Sequence, residues 1–334
     1  MIRLGFYGFG SIARIVAKLA LRRGFEIVGA IDVDPNLVGR DVGELVVGEK
    51  LGVVVTKDPS DLADADVVIH ATTSYLDRAF PQIATVVDMG INVLSTCETL
   101  AYPFYRYPVL ARRIDELART RGVSVVGTGI NPGFLLDTLV VVLCSSVDEV
   151  RKVVAARYVD AARRRESFRK KIGLGMPVSE VEERLRKGEL TGHVGYAESA
   201  LLIADALRIS PTKVVEEQHA VAAETEVESH GTRIGKGMCR GVSGYASLFV
   251  GDEEVVRVEF HALAGVEERE EIVIEARESG KIVWRSTGTH GDVGTASVLL
   301  SLVEKILEAR PGLLTMVDLL PFKPFSSYTV KHAP

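Results

Sequence analysis

Short apolar runs alternate with amphipathic stretches along the first 130 residues. Residues 2–7 predict a buried strand. Residues 12–21 form an apolar helical run, closed by Arg22, Arg23 and a C-capping Gly24. Residues 25–31 predict a second strand ending at Asp32. A strand at 53–56 and a helical piece at 59–63 follow. The next strand, 66–72, carries a β-branched run at its centre, as suits burial on both faces. A helix at 75–90, a strand at 92–95, a helix at 109–121 and a strand at 123–126 complete the series. Such alternation implies a parallel sheet with right-handed crossovers.

The pattern changes after Phe134. Residues 135–144 predict an apolar helix, 150–159 a strand and 196–207 a helix. Five alternating stretches, 214–226, 245–250, 255–263, 271–276 and 281–284, read as antiparallel strands. A long helix at 296–309, stopped by Pro311-Gly312, is expected to pack back on the first domain. The chain therefore reads as α/β. Residues 1–131 form a Rossmann-type doubly wound domain, completed by 291–334. Residues 132–290 form an α+β domain with a mixed or antiparallel sheet, for substrate binding and dimerisation.

The junction of the first strand and helix reads Gly8-Phe-Gly10-Ser11-Ile12-Ala13. Gly8 permits a tight turn, Gly10 leaves room for a pyrophosphate, and Ala13 allows close helix–strand packing. The helix start at Ser11 and Ile12 offers backbone N–H groups to phosphates. The competing reading is a structural turn with no ligand. Asp32 is placed to accept from an adenosine ribose and to repel a 2′-phosphate, and the first basic residue after it is Arg40. The expected cofactor is NAD or NADP, with NAD favoured. Ligands of open α/β sheets sit beyond the carboxyl ends of strands, so Ala71, Thr72, Thr73 and Thr96 are further cofactor candidates. Thr72 to Ser74 read equally well as a helix cap.

Composition narrows the classes. The 334 residues are 47% hydrophobic and 25% charged, ordinary globular material of two-domain length. A net charge of −5 gives no reason to expect nucleic acid. No apolar run has membrane-spanning length, and the N-terminus enters a strand without a signal-type segment. Cys97, Cys144 and Cys239 are scattered and odd in number, which fits a reducing cytoplasm and gives no metal-ligand spacing. Asn occurs only at 36, 92 and 131, and Gln only at 82 and 218. Scarce amides with abundant Arg and Glu point to a thermophilic source.

No nucleophile elbow or paired Cys/His site is apparent. The leading catalytic candidate is Glu98, after the 92–95 strand and flanked by Cys97 and Leu100, a partly desolvated carboxylate suited to general-base work. Its alternative is an N-cap acid or an ion pair in a loop. Asn131 is either a substrate-orienting amide or a turn residue. The basic run Arg163, Arg164, Arg165, Arg169, Lys170, Lys171 is either a solvated helix face or an anchor for an anionic group. Of the histidines at 193, 230, 261 and 290, His261 is kept as a substrate-pocket candidate beside its structural reading.

At these residues the sequence resembles a known family. The Ile31-Asp32-x-Asp34-Pro35 and Gly39-Arg-Asp-Val-Gly43-Glu44 stretches look like the amino-terminal domain of dihydrodipicolinate reductases. Ser95-Thr-Cys-Glu98, Gly127-Thr-Gly-Ile-Asn131-Pro-Gly-Phe134 with Asp137, Lys171-Ile-Gly-x-Gly175 and Gly192-His-Val-Gly195 together resemble the 2,4-diaminopentanoate dehydrogenases and native amine dehydrogenases. The reductase's paired histidines and its Pro-Ser-Gly-Thr phrase are absent. The resemblance implies NAD(P)-dependent oxidative deamination of 2,4-diaminopentanoate to 2-amino-4-oxopentanoate with ammonia release. Glu98 would handle the amine, Phe134 would line the pocket, and the chain would be a homodimer. Arg163 or Arg164 is inferred to hold the substrate carboxylate. Competing functions are amination of other ketones, a dihydrodipicolinate reductase-like reduction, and a non-catalytic NAD-binding sensor.

Overall fold

The computed structural model describes residues 1–319, in two compact units: 1–134 with 290–319, and 135–289. The segment 320–334, which the sequence reading joins to the first domain, lies outside the described residues.

The first unit contains β1 (Arg3–Tyr7), α1 (Ser11–Arg22), β2 (Glu26–Ile31), α2 (Val42–Val46), β3 (Val55–Thr56), β4 (Val67–His70), α3 (Leu76–Asp88), β5 (Asn92–Ser95), α4 (Pro103–Arg106), α5 (Pro108–Arg121) and β6 (Ser124–Gly127). The helix Gly291–Leu307 and a strand Gly312–Leu314 return to this unit. Across the sheet the order is Gly312–Leu314, β6, β5, β4, β1, β2, β3, with every neighbouring pair parallel. Strand order therefore reverses between β1 and β4, the switch point at which open α/β sheets bind ligands. The helices form where apolar residues recur at helical spacing. Ala13, Val16, Ala17 and Ala20 of α1 are buried, as are Leu76, Ala79, Ile83, Val86 and Val87 of α3. Each large aliphatic side chain so buried contributes about 1.5–3 kcal/mol. Helix Gly291–Leu307 packs on α1, as its apolar pattern predicts.

The second unit contains α6 (Thr138–Cys144), β7 (Val150–Asp160), α7 (Glu166–Lys171), α8 (Val178–Arg186), α9 (Tyr196–Ala206), β8 (Lys213–Ala222), β9 (Val227–Ser229), β10 (Thr232–Ile234), β11 (Cys239–Val250), β12 (Glu253–Leu263), β13 (Arg269–Ala276) and β14 (Lys281–Ser286). Its six-stranded sheet runs β14, β13, β7, β12, β11, β8. Of the mixed and antiparallel alternatives, the sheet is the mixed one. β12 lies parallel to β7, while the other neighbours are antiparallel. The long connection through α7–α9 and β8–β11 returns the chain in the same direction, which hydropathy does not encode. Helix α9 is apolar nearly all round and covers one face of β11 and β12. Alternation then puts Val258, Phe260 and Ala262 in the core, and Arg257, Glu259 and His261 on the other face.

Candidate active site

Gly8 adopts φ +84°, a left-handed conformation that favours glycine, and a Cβ there would meet Ala71 O and Thr72 Cγ2, each at 2.7 Å. The glycine turn therefore lies directly against the end of β4. Gly10 differs. Its φ of −70° suits any residue, and a Cβ there would meet nothing within 4 Å. Nothing in the protein's own packing requires glycine at position 10. The space is open at the N-terminus of α1, where no side chain caps the helix and Ser11 is exposed. That opening fits a dinucleotide's pyrophosphate. The Asp32 carboxylate stands beside it, accepting from Phe9 N at 2.6 Å and Asp34 N at 2.9 Å. The first of these bonds ties the carboxylate to the glycine turn.

The final residues of β1, β4, β5 and β6 form one row across the sheet: Tyr7, His70, Ser95, Gly127. Beyond it lie the candidate residues of both loops. Thr72 is exposed, while Ala71, Thr73 and Thr96 are half-buried. Glu98 opens a single 3₁₀ turn, Glu98–Leu100, and is half-buried between buried Cys97 and Thr99. The turn is fastened from several sides. Cys97 N donates to Ser95 Oγ at 3.1 Å. Thr99 donates to Ser74 O through both its N–H, at 3.1 Å, and its hydroxyl, at 3.2 Å. Leu76 N donates to Thr99 Oγ1 at 2.9 Å. At Gly127 a Cβ would lie 2.4 Å from the Leu100 carbonyl carbon, so glycine lets the turn settle on β6. Burial, reinforced by the Glu98 charge, pushes the Cys97 thiol up to about 12, so that thiol is no nucleophile at neutral pH.

His70 is missed by sequence reasoning. It is fully buried, with Nδ1 2.8 Å from Ser95 Oγ and Nε2 2.8 Å from Gln82 Oε1. The signals available were a histidine closing an apolar strand and one of only two glutamines. At the far end of β6, Ile130 N donates to Thr295 Oγ1 at 3.2 Å. Asn131 and Phe134 follow, both half-buried.

In the second unit Arg163 and Arg164 diverge. Arg163 is exposed and pairs with Glu268 at 3.1 Å. Arg164 is half-buried and lies over the Phe168 ring at 5.2 Å, with Lys171 Nζ 5.4 Å from the same ring centre. Arg157 and Glu270 form a buried pair, 2% and 1% exposed, with Nε and Oε1 3.1 Å apart. Burial pushes the Arg157 guanidinium down to about 10 against the pull of Glu270, and the Arg164 charge adds to that depression. His193 is held well below its usual value, first by burial and then by Lys171 and Arg157. Arg157 thus lies within electrostatic reach of Arg164 and His193, and Lys171 within reach of His193. His261 does not join them. It stacks on Tyr158 at 4.4 Å, bonds Ser243 Oγ at 2.7 Å, and faces away from α9.

A parallel sheet whose first strand turns through glycines into an uncapped helix, with carboxylates after its second and fifth strands, has the layout of a dinucleotide-binding domain. Residues 134–328 match the 2,4-diaminopentanoate dehydrogenase C-terminal domain, and residues 2–93 match the N-terminus of dihydrodipicolinate reductase. The chain belongs to the 2,4-diaminopentanoate dehydrogenase family and is an NAD(P)-dependent dehydrogenase of the amine and amino-acid class. It is 29% identical over 331 residues to 2,4-diaminopentanoate dehydrogenase of Acetoanaerobium sticklandii, covering 95% of this chain and 93% of that one. It is 38% identical over 85 residues to 4-hydroxy-tetrahydrodipicolinate reductase of Archaeoglobus fulgidus, covering 25% and 31%. Amine dehydrogenase from Mycobacterium smegmatis shares the fold, with a TM-score of 0.84, 22% identity and 96% of each chain covered. Among the described residues no helix is long and apolar enough to cross a membrane, and no His/Cys/Asp/Glu group could hold a metal ion.

Proposed function

We propose that the chain oxidatively deaminates 2,4-diaminopentanoate at C4, giving 2-amino-4-oxopentanoate and ammonia, with NAD preferred over NADP. The observation carrying this reading is the half-buried Glu98 carboxylate on a turn fastened to the ends of β4, β5 and β6. The nearly full-length similarity to a 2,4-diaminopentanoate dehydrogenase supports the substrate. When bound, the dinucleotide accepts a hydride from the amine-bearing carbon. Gly8, Gly10, Ser11 and Ile12 hold its pyrophosphate and Asp32 its ribose, while Ala71, Thr72, Thr73 and Thr96 serve the nicotinamide side. Glu98 takes the proton the substrate ammonium sheds before its carbon is oxidised. Once that proton has passed to solvent, the Glu98 carboxylate draws a proton from the water that adds to the resulting iminium carbon, and returns it to the departing nitrogen. The balance is ammonium substrate, NAD⁺ and water to ketone, ammonium ion, NADH and one proton.

Asn131 and Phe134 orient the substrate. Arg164 holds its carboxylate, because an anion there offsets the repulsion between Arg164 and Arg157. The active form is a homodimer, which light scattering would test. For the reaction itself, NADH formation is measured with 2,4-diaminopentanoate and, in reverse, with simple ketones plus ammonia. Preference for the diamino acid supports the assignment, whereas preference for a simple ketone moves the chain to ketone amination. NAD binding with no turnover on either would make it a sensor. Glu98→Gln is expected to lower kcat about 10²–10⁴-fold, the usual range for a general base, while NAD affinity stays within a few-fold.

A further inference from the structure

Polar groups at the strand ends form one continuous chain, with His70 and Ser95 buried at its centre. Cys97 N donates to Ser95 Oγ at 3.1 Å, and Ser95 Oγ lies 2.8 Å from His70 Nδ1. His70 Nε2 lies 2.8 Å from Gln82 Oε1 and 3.1 Å from Thr72 Oγ1, and Thr72 donates to Gln82 Oε1 at 2.6 Å. With Gln82 accepting, Nε2 carries the imidazole proton, which leaves Nδ1 to accept from Ser95. Both ring nitrogens of buried His70 and the Ser95 hydroxyl then have partners, as burial demands. One end of the series is the Glu98 turn after β5. The other is the Thr72 hydroxyl after β4, beside Gly8.

We propose that His70 is a positioning residue, a neutral imidazole that locks the Glu98 turn to the Thr72 segment so that both present their groups to the cofactor's reactive end as one unit. This rests on the assignment of Glu98 as the proton-handling group. Three observations support it. His70 and Ser95 are register partners on neighbouring strands, so their contact is set by the sheet rather than by mobile loops. Burial pushes His70 down to about 4, so it stays uncharged and keeps one tautomer at neutral pH. Gln82 reaches the imidazole from α3, in a chain that uses glutamine only twice.

The test uses the intact enzyme with NAD and its amine substrate. His70→Leu fills the space but breaks the chain, and is expected to lower kcat about 10–100-fold while NAD affinity and substrate KM stay within about three-fold, the loss falling on an interaction made in the transition state. His70→Asn keeps an acceptor for Ser95 and should recover part of that loss. A double variant with Glu98→Gln should be no slower than Glu98→Gln alone, because His70 acts through Glu98. Wild-type kcat in His70→Leu beside an inactive Glu98→Gln would overturn the proposal while sparing Glu98. So would losses that multiply in the double variant. Wild-type turnover in Glu98→Gln would instead remove the underlying assignment. If His70→Leu does not fold, Ser95→Ala and Gln82→Met cut the same chain at its two other links. Each is expected to lower kcat in the same direction, and unchanged kcat in both refutes the proposal.

Discussion

Replacing Asp32 by Asn removes one negative charge where the sheet's second strand meets the glycine turn. The carboxylate accepts from Phe9 N and from Asp34 N through different oxygens. An asparagine has one acceptor oxygen, so one of these amides would face an NH₂ group, at a cost to stability of about 1–3 kcal/mol. A cofactor 2′-phosphate carries nearly two negative charges. Unit charges about 5 Å apart repel by about 3 kcal/mol at an effective dielectric near 20, and by less where water screens them. Discounting for the half-exposed carboxylate leaves about 1.5–3 kcal/mol, or roughly 10–150-fold in selectivity. Arg14 supplies the complementary attraction. It lies on the first turns of α1, and its charge helps to hold the Asp34 carboxyl below the usual range, after the Asn36 hydrogen bonds. The assay is kcat/KM for NADP divided by that for NAD, at saturating amine and well below the thermal midpoint. Asp32→Asn should raise this ratio by about 10–150-fold, the factor worked above, and adding Arg14→Ala should give back part of the gain. A ratio within two-fold of wild type in Asp32→Asn would mean that the carboxylate does not read the ribose.

The open space at position 10 makes a separate prediction. Gly10→Val should leave the melting temperature nearly unchanged, because a Cβ there meets nothing within 4 Å, but weaken NAD binding at least about ten-fold, measured by fluorescence titration. Unchanged affinity would place the pyrophosphate elsewhere. The Arg157–Glu270 pair should respond to Glu270→Gln with a loss of about 3–5 kcal/mol, because an uncompensated cation is left buried, and the double change to Met and Leu should recover most of it in urea titrations. A Glu270→Gln protein as stable as wild type would refute that. Arg164→Ala should raise KM for a carboxylate-bearing amine about ten-fold or more while sparing a matched amine without a carboxylate, as expected for a lost charge-assisted bond. Arg163→Ala, whose partner is Glu268, should change neither.

Much of this protein is legible in its sequence because the features are local. Periods of 3.6 and 2 mark the helices and strands, and the spacing of Gly8, Gly10 and Ala13 follows from one turn and one helix start. The short elements escape such reading. Gly312–Leu314 is a strand only because β6 offers an edge, and three residues carry no period. The strands β9 and β10, three residues each, are also too short to carry a period and pair only with each other. The parallel pairing of β12 with β7 was likewise decided by the path of the chain.

The site divides along the same line. Asp32 and Glu98 could be singled out from their places at strand ends. Arg163 and Arg164 are adjacent in sequence and separate only in space, where one meets Glu268, 105 positions away, and the other turns to Phe168. His261 reads as a pocket residue until strand alternation puts it opposite Phe260. The series from Cys97 to Thr72 needs β4, β5 and α3 in register before any of its bonds exists. Hydrogen-bond partners of buried side chains are chosen by packing between distant segments, and no one-dimensional pattern records that choice.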